Sequence, residues 1–118
     1  MNNTKFAVTS AYNGCTITCS TSQWDEHIII HHPIMNNNLK AVKDTVKDPD
    51  GVYKSEEFEN RDVYFKQSSC SSYKLLTKVI VENTISKNSN PMGEVVTAFP
   101  ARIETGGIGS VLYRRTEN

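Results

Sequence analysis

The sequence contains no apolar run that approaches the roughly 20 residues needed to cross a bilayer, and we predict a chain that does not enter a membrane. Its first ten residues, MNNTKFAVTS, lack the apolar stretch of a signal peptide, so we expect no export signal in this form of the chain. The length of 118 residues is that of one typical domain. We therefore interpret residues 1–118 as a single domain.

Cysteine is scarce, and Cys15, Cys19 and Cys70 form neither an even set nor a CxxC pair. Reduced thiols are therefore the default expectation. An excess of charge is also lacking, because 13 lysines and arginines balance 13 aspartates and glutamates. The net charge gives no argument for a nucleic-acid partner, and any such argument has to be local. Locally, residues 61–118 are mildly basic and the preceding residues mildly acidic.

Complete metal and phosphate motifs are missing. Cys15, Cys19, His27 and His31 follow the spacing C-x3-C-x7-H-x3-H, whereas a zinc finger needs about twelve residues between its two pairs. An HExxH motif is absent, and TGGIGS at 105–110 lacks the lysine of a P-loop, so we interpret it as the turn into the last strand. We predict neither a metal nor a cofactor. The main alternative is a zinc ion bound by these cysteines and histidines.

All three histidines, His27, His31 and His32, lie in WDEHIIIHHPIM at 24–35, beside the only tryptophan. One interpretation is that His27 and His31, one helical turn apart, are partly buried helix residues bonded to backbone or water. The other is proton transfer, because imidazole gives and takes a proton near neutral pH without large tuning. The sequence leaves both interpretations open.

Local signals predict a hairpin and two helices before residue 48. KFAVT and CTITCS flank the turn signal Asn13-Gly14, which favours a hairpin. The serines and threonine of 20–22 offer N-caps, and two acids follow in the first turn, so a helix is predicted from about residue 22. Pro33 predicts a bend and a second helix over about 33–47.

After the turn DPDG at 48–51 the pattern changes to that of β-strands. Five strand candidates follow: GVYKS, RDVYFKQ, YKLLTKVIVE, GEVVTAFPA and SVLYRR. We therefore predict an α+β fold, in which two N-terminal helices within 20–47 pack on one face of an antiparallel, twisted sheet of four to five strands covering 52–115.

The same pieces, in the same order, resemble a known superfamily. It is the ribonuclease superfamily that unites barnase, EndoU, the tRNA-cleaving colicins and RelE, and the similarity is to its phage and polymorphic-toxin branch. The pieces that carry the resemblance are WDEHIIIHHPIM, LKAVKDTVKDPDGVYKS, RDVYFK, YKLLTKVIVE, GEVVTAFPARIETGG and LYRR. The resemblance spans about residues 15 to 115. It implies N-terminal helices on a four-stranded antiparallel sheet and metal-independent cleavage of RNA.

The resemblance also implies site residues. The histidine of the family's first helix corresponds to His27 and the histidine before the proline to His32. The basic residue that opens the second strand corresponds to Arg61, the hydroxyl of the TAF piece to Thr97, and the aromatic of the final strand to Tyr113. Ile34 stands where the family most often has an acid, and the net positive charge common in RNA-cleaving toxins is lacking; both are departures from the pattern.

Metal-independent RNA cleavage needs a base for the 2'-OH, an acid for the leaving 5'-oxygen and donors to the phosphorane. His27 is the candidate base or acid, Arg61 the candidate phosphate ligand and Thr97 a candidate donor. Further candidates for substrate binding are the rings of Tyr64, Phe65 and Tyr113 and the cations of Lys66, Lys78 and Arg114. Each has an ordinary alternative, with the rings in the core or at a strand edge and the cations solvated.

We therefore predict an endoribonuclease toxin that acts in the cytoplasm on RNA, including tRNA, leaves a cyclic phosphate and is neutralised by an acidic immunity or antitoxin protein. A toxin secreted into another cell, a phage protein and a chromosomally encoded toxin all fit this prediction. The alternative is an inactive nuclease-like domain that binds RNA or a protein. The nuclease hypothesis places Arg61, Thr97 and Tyr113 on one concave face, with His27 or His32 at its rim and His31 as a spare.

Overall fold

The structure, a computed structural model, describes residues 3–67, 76–85, 91–102 and 107–115. Seven strands form one sheet in the order β1-β2-β6-β5-β4-β3-β7. Strands β2 and β6 are parallel, and all other neighbours are antiparallel. The strands are β1 (Thr4–Thr9), β2 (Thr16–Ser20), β3 (Gly51–Ser55), β4 (Arg61–Gln67), β5 (Leu76–Ile85), β6 (Pro91–Ala101) and β7 (Ile108–Arg114).

The predicted fold, two helices on an antiparallel sheet of four to five strands, is wrong. The five candidates after DPDG do form β3 to β7, although residues 73–75 of the third candidate lie outside the described residues. The N-terminal hairpin adds two more strands, β1 and β2, to this sheet. Strand β2 buries Ile17 and Cys19 in the same core cluster as the later strands, so it extends their sheet and does not stand apart from it. It joins the sheet by pairing parallel to β6, which makes the sheet mixed.

The helical part is shorter than predicted. It comprises α1 (Thr21–Gln23), a π-helical turn (Trp24–Ile28), α2 (Ile29–His31), a 3-10 turn (Pro33–Asn37) and α3 (Leu39–Lys47). Ser20 caps α1, since its Oγ accepts a hydrogen bond from the backbone N–H of Gln23 at 3.0 Å. The predicted bend before Pro33 is present, and His32 there leaves the helical conformation with φ −136° and ψ 75°. No described helix is long and apolar enough to span a membrane.

The helices cover one side of the sheet, which we call the core face. Trp24, Ile28 and Met35 from the helical turns and Val42 and Val46 from α3 are fully buried there. Residues paired directly across strands point to the same side of a sheet. Core-face strand residues include Ile17, Val52, Tyr64, Val79, Val81, Val95 and Ala98.

The opposite side, which we call the second face, carries the alternate residues of the same strands. Val63 pairs with Ile80, which pairs with Thr97, and Phe65 pairs with Lys78, which pairs with Phe99. Val63, Phe65 and Lys78 are buried although no residue of α3 is on their side. The second face therefore has a small apolar layer of its own.

Gly93 permits the close packing of β2, β6 and β5. A Cβ at this position would lie 2.6 Å from Cγ1 of the fully buried Val81 and 3.5 Å from Cγ1 of Ile17. We expect Gly93→Ala to lower the free energy of unfolding by about 1–3 kcal/mol, because Val81 has no space to move into. Urea denaturation followed by circular dichroism measures this loss.

Gly109→Ala is the matched control for that substitution. Gly109 also lies in a strand, but a Cβ there would meet its nearest atom, the Lys54 carbonyl oxygen, at an ordinary 3.5 Å. Equal destabilisation by the two substitutions would contradict the packing described for Gly93.

Candidate functional site on the second face

One straight row of residues crosses five strands on the second face. Phe99 in β6 pairs with Lys78, Lys78 with Phe65, Phe65 with Gly51, and Gly51 with Arg114 in β7. With strands about 4.8 Å apart, the row is about 19 Å long. We call it the cross-strand row. Along it a ring, a cation and a ring follow one another from Phe99 to Phe65, and a second cation, Arg114, follows beyond Gly51.

Lys78 lies between Phe99 and Phe65 in the cross-strand row. Its Nζ lies 5.3 Å from the centroid of the Phe99 ring and 5.8 Å from that of Phe65, close enough for cation–π attraction to both rings. Only 6% of Lys78 is exposed. This burial lowers the pKa of its ammonium group, and the nearby Glu57 carboxylate opposes the effect. An amine in this setting is a common feature of functional sites.

At its β7 end the row is completed by Tyr53. The Tyr53 ring meets Phe65 edge-on with centroids 5.9 Å apart, and the Tyr53 hydroxyl accepts a hydrogen bond from Nη1 of Arg114. Gly51 has no side chain, and Tyr53 on the same strand and Arg114 on β7 are its neighbours on the second face. This end therefore also presents a ring beside a cation.

His32 reaches the other end of the row from the helical segment. Gln23 Nε2 donates a hydrogen bond to the Val96 carbonyl, which ties that segment to β6. The His32 ring then stacks on Phe99, with centroids 4.8 Å apart and an interplanar angle of 28°. The bend before Pro33 brings His32 out of the helix and next to this ring.

A cavity of about 320 Å³ opens above Lys78 and Phe99. Glu57 is the one carboxylate among the residues described as lining it. Ser55 Oγ accepts hydrogen bonds from the backbone N–H groups of Glu57 at 3.1 Å and Phe58 at 3.2 Å, which fixes the turn that carries Glu57. The cavity is lined by Ser55, Glu57, Val63, Lys78, Ile80, Phe99 and Gly107.

Arg61 and Thr97, two residues singled out from the sequence, lie on the second face. The Arg61 guanidinium is engaged there: its Nε lies 3.4 Å from Oε1 of Glu82, and its Cζ lies 4.0 Å from the centroid of the Phe58 ring. Thr97 is half-buried opposite Ile80. The predicted residues that share this face are therefore His32, Arg61, Phe65, Lys78, Thr97 and Arg114.

Tyr113 does not lie where we expected it, on the face of Arg61 and Thr97. Val111 pairs with Tyr53 on the second face, but Tyr113 pairs with Val52 on the core face, because an irregularity in the β3–β7 register adds Leu112 between them. Such a bulge reverses the alternation of side chains. The Tyr113 ring packs against that of Tyr12, with centroids 5.3 Å apart.

Tyr64 and Lys66 are also directed away from the second face, since they alternate with Arg61, Val63 and Phe65. Tyr64 is fully buried, so its ring offers no stacking surface, and burial raises the pKa of its hydroxyl. Lys66 Nζ donates to the Asp48 carbonyl at 2.8 Å and lies 3.8 Å from the carboxylates of Asp48 and Asp50. Both residues were predicted to contact substrate together with Arg61. The alternation of side chains along β4 places them on the other side of the sheet from Arg61.

His27 and His31 are exposed on the helical segment, because Trp24 and Ile28 occupy its buried side. Cys15 and Cys19 are buried thiols on the core face. The two pairs therefore point in opposite directions. Within residues 3–67, 76–85, 91–102 and 107–115, no group of three or more histidines, cysteines, aspartates and glutamates is placed to hold a metal ion.

Sequence reasoning did not identify Glu57, Tyr53 or Phe99. Glu57 is one of three glutamates within EEFE and has no local signal of its own. Phe99 and Tyr53 stand in quoted strand pieces, but only the register across β3, β4, β5 and β6 shows that they flank Phe65 and Lys78.

No family model, no curated protein and no solved structure matches the chain. The superfamily resemblance therefore rests on the residues quoted for it.

The buried cysteines are expected to be chemically inert. Burial raises the pKa of Cys15, and it raises that of Cys19 to about 12, so almost no thiolate is present near neutral pH. Because Cys70 lies outside the described residues, the test uses a Cys70→Ser variant. We expect its two remaining thiols to resist an aromatic disulfide reagent at about pH 8 until denaturant is added. Rapid reaction of either thiol in the native protein would contradict their placement in the core.

Proposed function

We propose that the chain cleaves RNA without a metal ion, at the cavity of the second face. The observation that carries the proposal is a cavity lined by Lys78, Glu57 and Phe99, with His32 stacked on the Phe99 ring beside it. These residues come from the helical bend, a turn and a central strand. Core packing alone does not require such a set of polar groups.

The chemistry needs two proton-transfer groups and a cation. Glu57 accepts the proton of the ribose 2'-OH as O2' attacks phosphorus, and His32 protonates the leaving 5'-oxygen as the P–O5' bond breaks. The products are a 2',3'-cyclic phosphate and a 5'-hydroxyl. The Lys78 ammonium stabilises the charge of the phosphorane, and its low exposure strengthens that interaction relative to one in water.

Arg61 and Thr97 occupy supporting positions in this proposal. The Thr97 hydroxyl is on the same face as Lys78 and donates to a phosphate oxygen. Arg61 reaches a phosphate after exchanging its contact with Glu82, a pair whose side chains are 25% and 36% exposed. Exposed ion pairs contribute little stability, so this exchange costs little.

A second candidate is an RNA-binding domain without cleavage. The specific observation in its favour is that Arg61 is already held by Glu82 and Phe58. The zero net charge also matches moderate rather than tight affinity for RNA. Binding without turnover is the result that would favour this candidate.

An RNA-cleaving chain acts where RNA is present, so its proposed site of action is the cytoplasm, with tRNA among its proposed substrates. Such a chain requires a neutralising immunity or antitoxin protein in the cell that makes it. Lys78 and Arg114 lie on the second face, and an acidic partner covering that face would complement them. Delivery from another cell or from a phage fits the same chemistry.

The test is cleavage of single-stranded RNA and of tRNA in EDTA, with the product ends identified by mass spectrometry. We expect cyclic phosphate ends, and we expect His32→Asn and Glu57→Gln each to lower the rate at least roughly 100-fold, the usual contribution of a positioned acid or base. His27→Asn and His31→Asn are the matched controls, since both side chains are exposed on the neighbouring helical turns.

Two results would contradict the proposed centre. Activity that appears only with added magnesium or zinc would exclude the metal-independent mechanism. Full activity of His32→Asn together with an inactive His27→Asn would assign the proton transfer to His27 instead.

A further inference from the structure

We infer that the cross-strand row binds RNA as an unpaired strand running across the β-strands, from Phe99 at one end to Tyr53 and Arg114 at the other. The inference rests on the proposed function for its ligand, and it adds the strandedness and the path of that ligand. The observation behind it is the succession of ring, cation and ring over β6, β5 and β4, followed on β3 and β7 by Tyr53 and Arg114, which contact each other beside Gly51.

The two ends of the row are accessible and its centre is recessed. Phe99, His32 and Tyr53 are half-buried, whereas Phe65 is fully buried and Lys78 is 6% exposed. Bases therefore stack at the two ends, on Phe99 with His32 and on Tyr53. Between them the cavity holds the backbone over Lys78. The buried Phe65 supports Lys78 from below and makes no contact with RNA.

Ring stacking requires a base whose face is free. In a duplex both faces of each base are covered by its neighbours, while the bases of a single strand can splay apart and stack on side chains. Tyr53 and Phe99 are half-buried in the surface of the sheet, so a base has to leave its stack in a duplex to cover either ring. The row thus discriminates against duplex RNA by geometry, without base-specific hydrogen bonds.

Charge complements the rings at both ends. Lys78 stands beside Phe99, and Arg114 stands beside Tyr53, so each stacking position has a cation for the adjoining phosphate. The contact between Arg114 and the Tyr53 hydroxyl orients both groups before RNA arrives. A phosphate bound by Arg114 adds to this contact, because the guanidinium has further N–H donors.

The test measures binding of a 2'-O-methyl RNA of about 12 nucleotides by fluorescence anisotropy, a length within the usual range of single-strand sites. The probe lacks the attacking hydroxyl, so it reports binding whether or not the chain cleaves RNA. We expect the single strand to bind at least roughly tenfold more tightly than the same sequence annealed to its complement. We expect Tyr53→Ala and Phe99→Leu each to weaken single-strand binding roughly tenfold, the loss of one stacked base.

Matched variants separate stacking, charge and folding. Tyr53→Phe keeps the ring and should recover most of the affinity lost in Tyr53→Ala. Arg114→Gln should weaken binding and flatten its salt dependence, whereas Lys40→Gln, which removes an equal charge from the exposed side of α3, should do neither. Ile30→Ala, at a 66% exposed site on α2, is the control for loss of an apolar side chain. Circular dichroism confirms that each variant is folded.

The outcomes distinguish this inference from the proposed function. Suppose that the chain binds single-stranded RNA, that Tyr53→Ala and Phe99→Leu weaken this binding as expected, and that ordinary RNA is not cleaved. This result would contradict the nuclease proposal and support RNA binding along the row. Cleavage of RNA by a chain that binds duplex and single strand with equal affinity, or whose affinity is unchanged by Tyr53→Ala, would contradict RNA binding along the row and leave the nuclease proposal standing. Absence of binding to either probe would also overturn the row.

Discussion

The register of β5 between β4 and β6 is the constraint on which the rest of the structure depends. It sets Val79 between Tyr64 and Ala98 on the core face, and Lys78 between Phe65 and Phe99 on the second face. A shift of one residue would exchange the two sets, placing an ammonium group under the helices and a valine in the cavity. The apolar core therefore fixes the register, and the register in turn fixes the candidate site.

The burial of Lys78 is unfavourable for stability taken alone, because an ammonium group loses hydration when it leaves water. The two rings and the Glu57 carboxylate offset part of that loss. An apolar residue in the same place would pack between Phe65 and Phe99 without any such cost. Sequences usually depart from the most stable choice at functional positions, and for this reason we centre the proposed site on this lysine and not on the exposed histidines.

Local signals predicted the local structure: the Ser20 cap, the bend before Pro33 and the five strands after DPDG are all visible in short stretches of sequence. The parallel pairing of β2 with β6 was not predictable, because it joins residues 76 positions apart, such as Thr16 and Met92, and no local sequence signal links the two segments. For the candidate site, the superfamily resemblance pointed to His32, Arg61 and Thr97, and residue type pointed to Lys78. It failed for Tyr113, since the bulge at Leu112 reverses its direction, and for Glu57, whose position depends on tertiary packing.

We propose that RNA binds to the second face of the sheet. The most direct test of this proposal is a titration of the ¹⁵N-labelled chain with single-stranded 2'-O-methyl RNA, followed by amide chemical shifts. We expect the largest chemical-shift changes at the amides of Tyr53, Lys78, Phe99 and Arg114, and little change at the amides of α3. Changes confined to the exposed helical turns around His27, or spread evenly over both faces, would contradict the proposal.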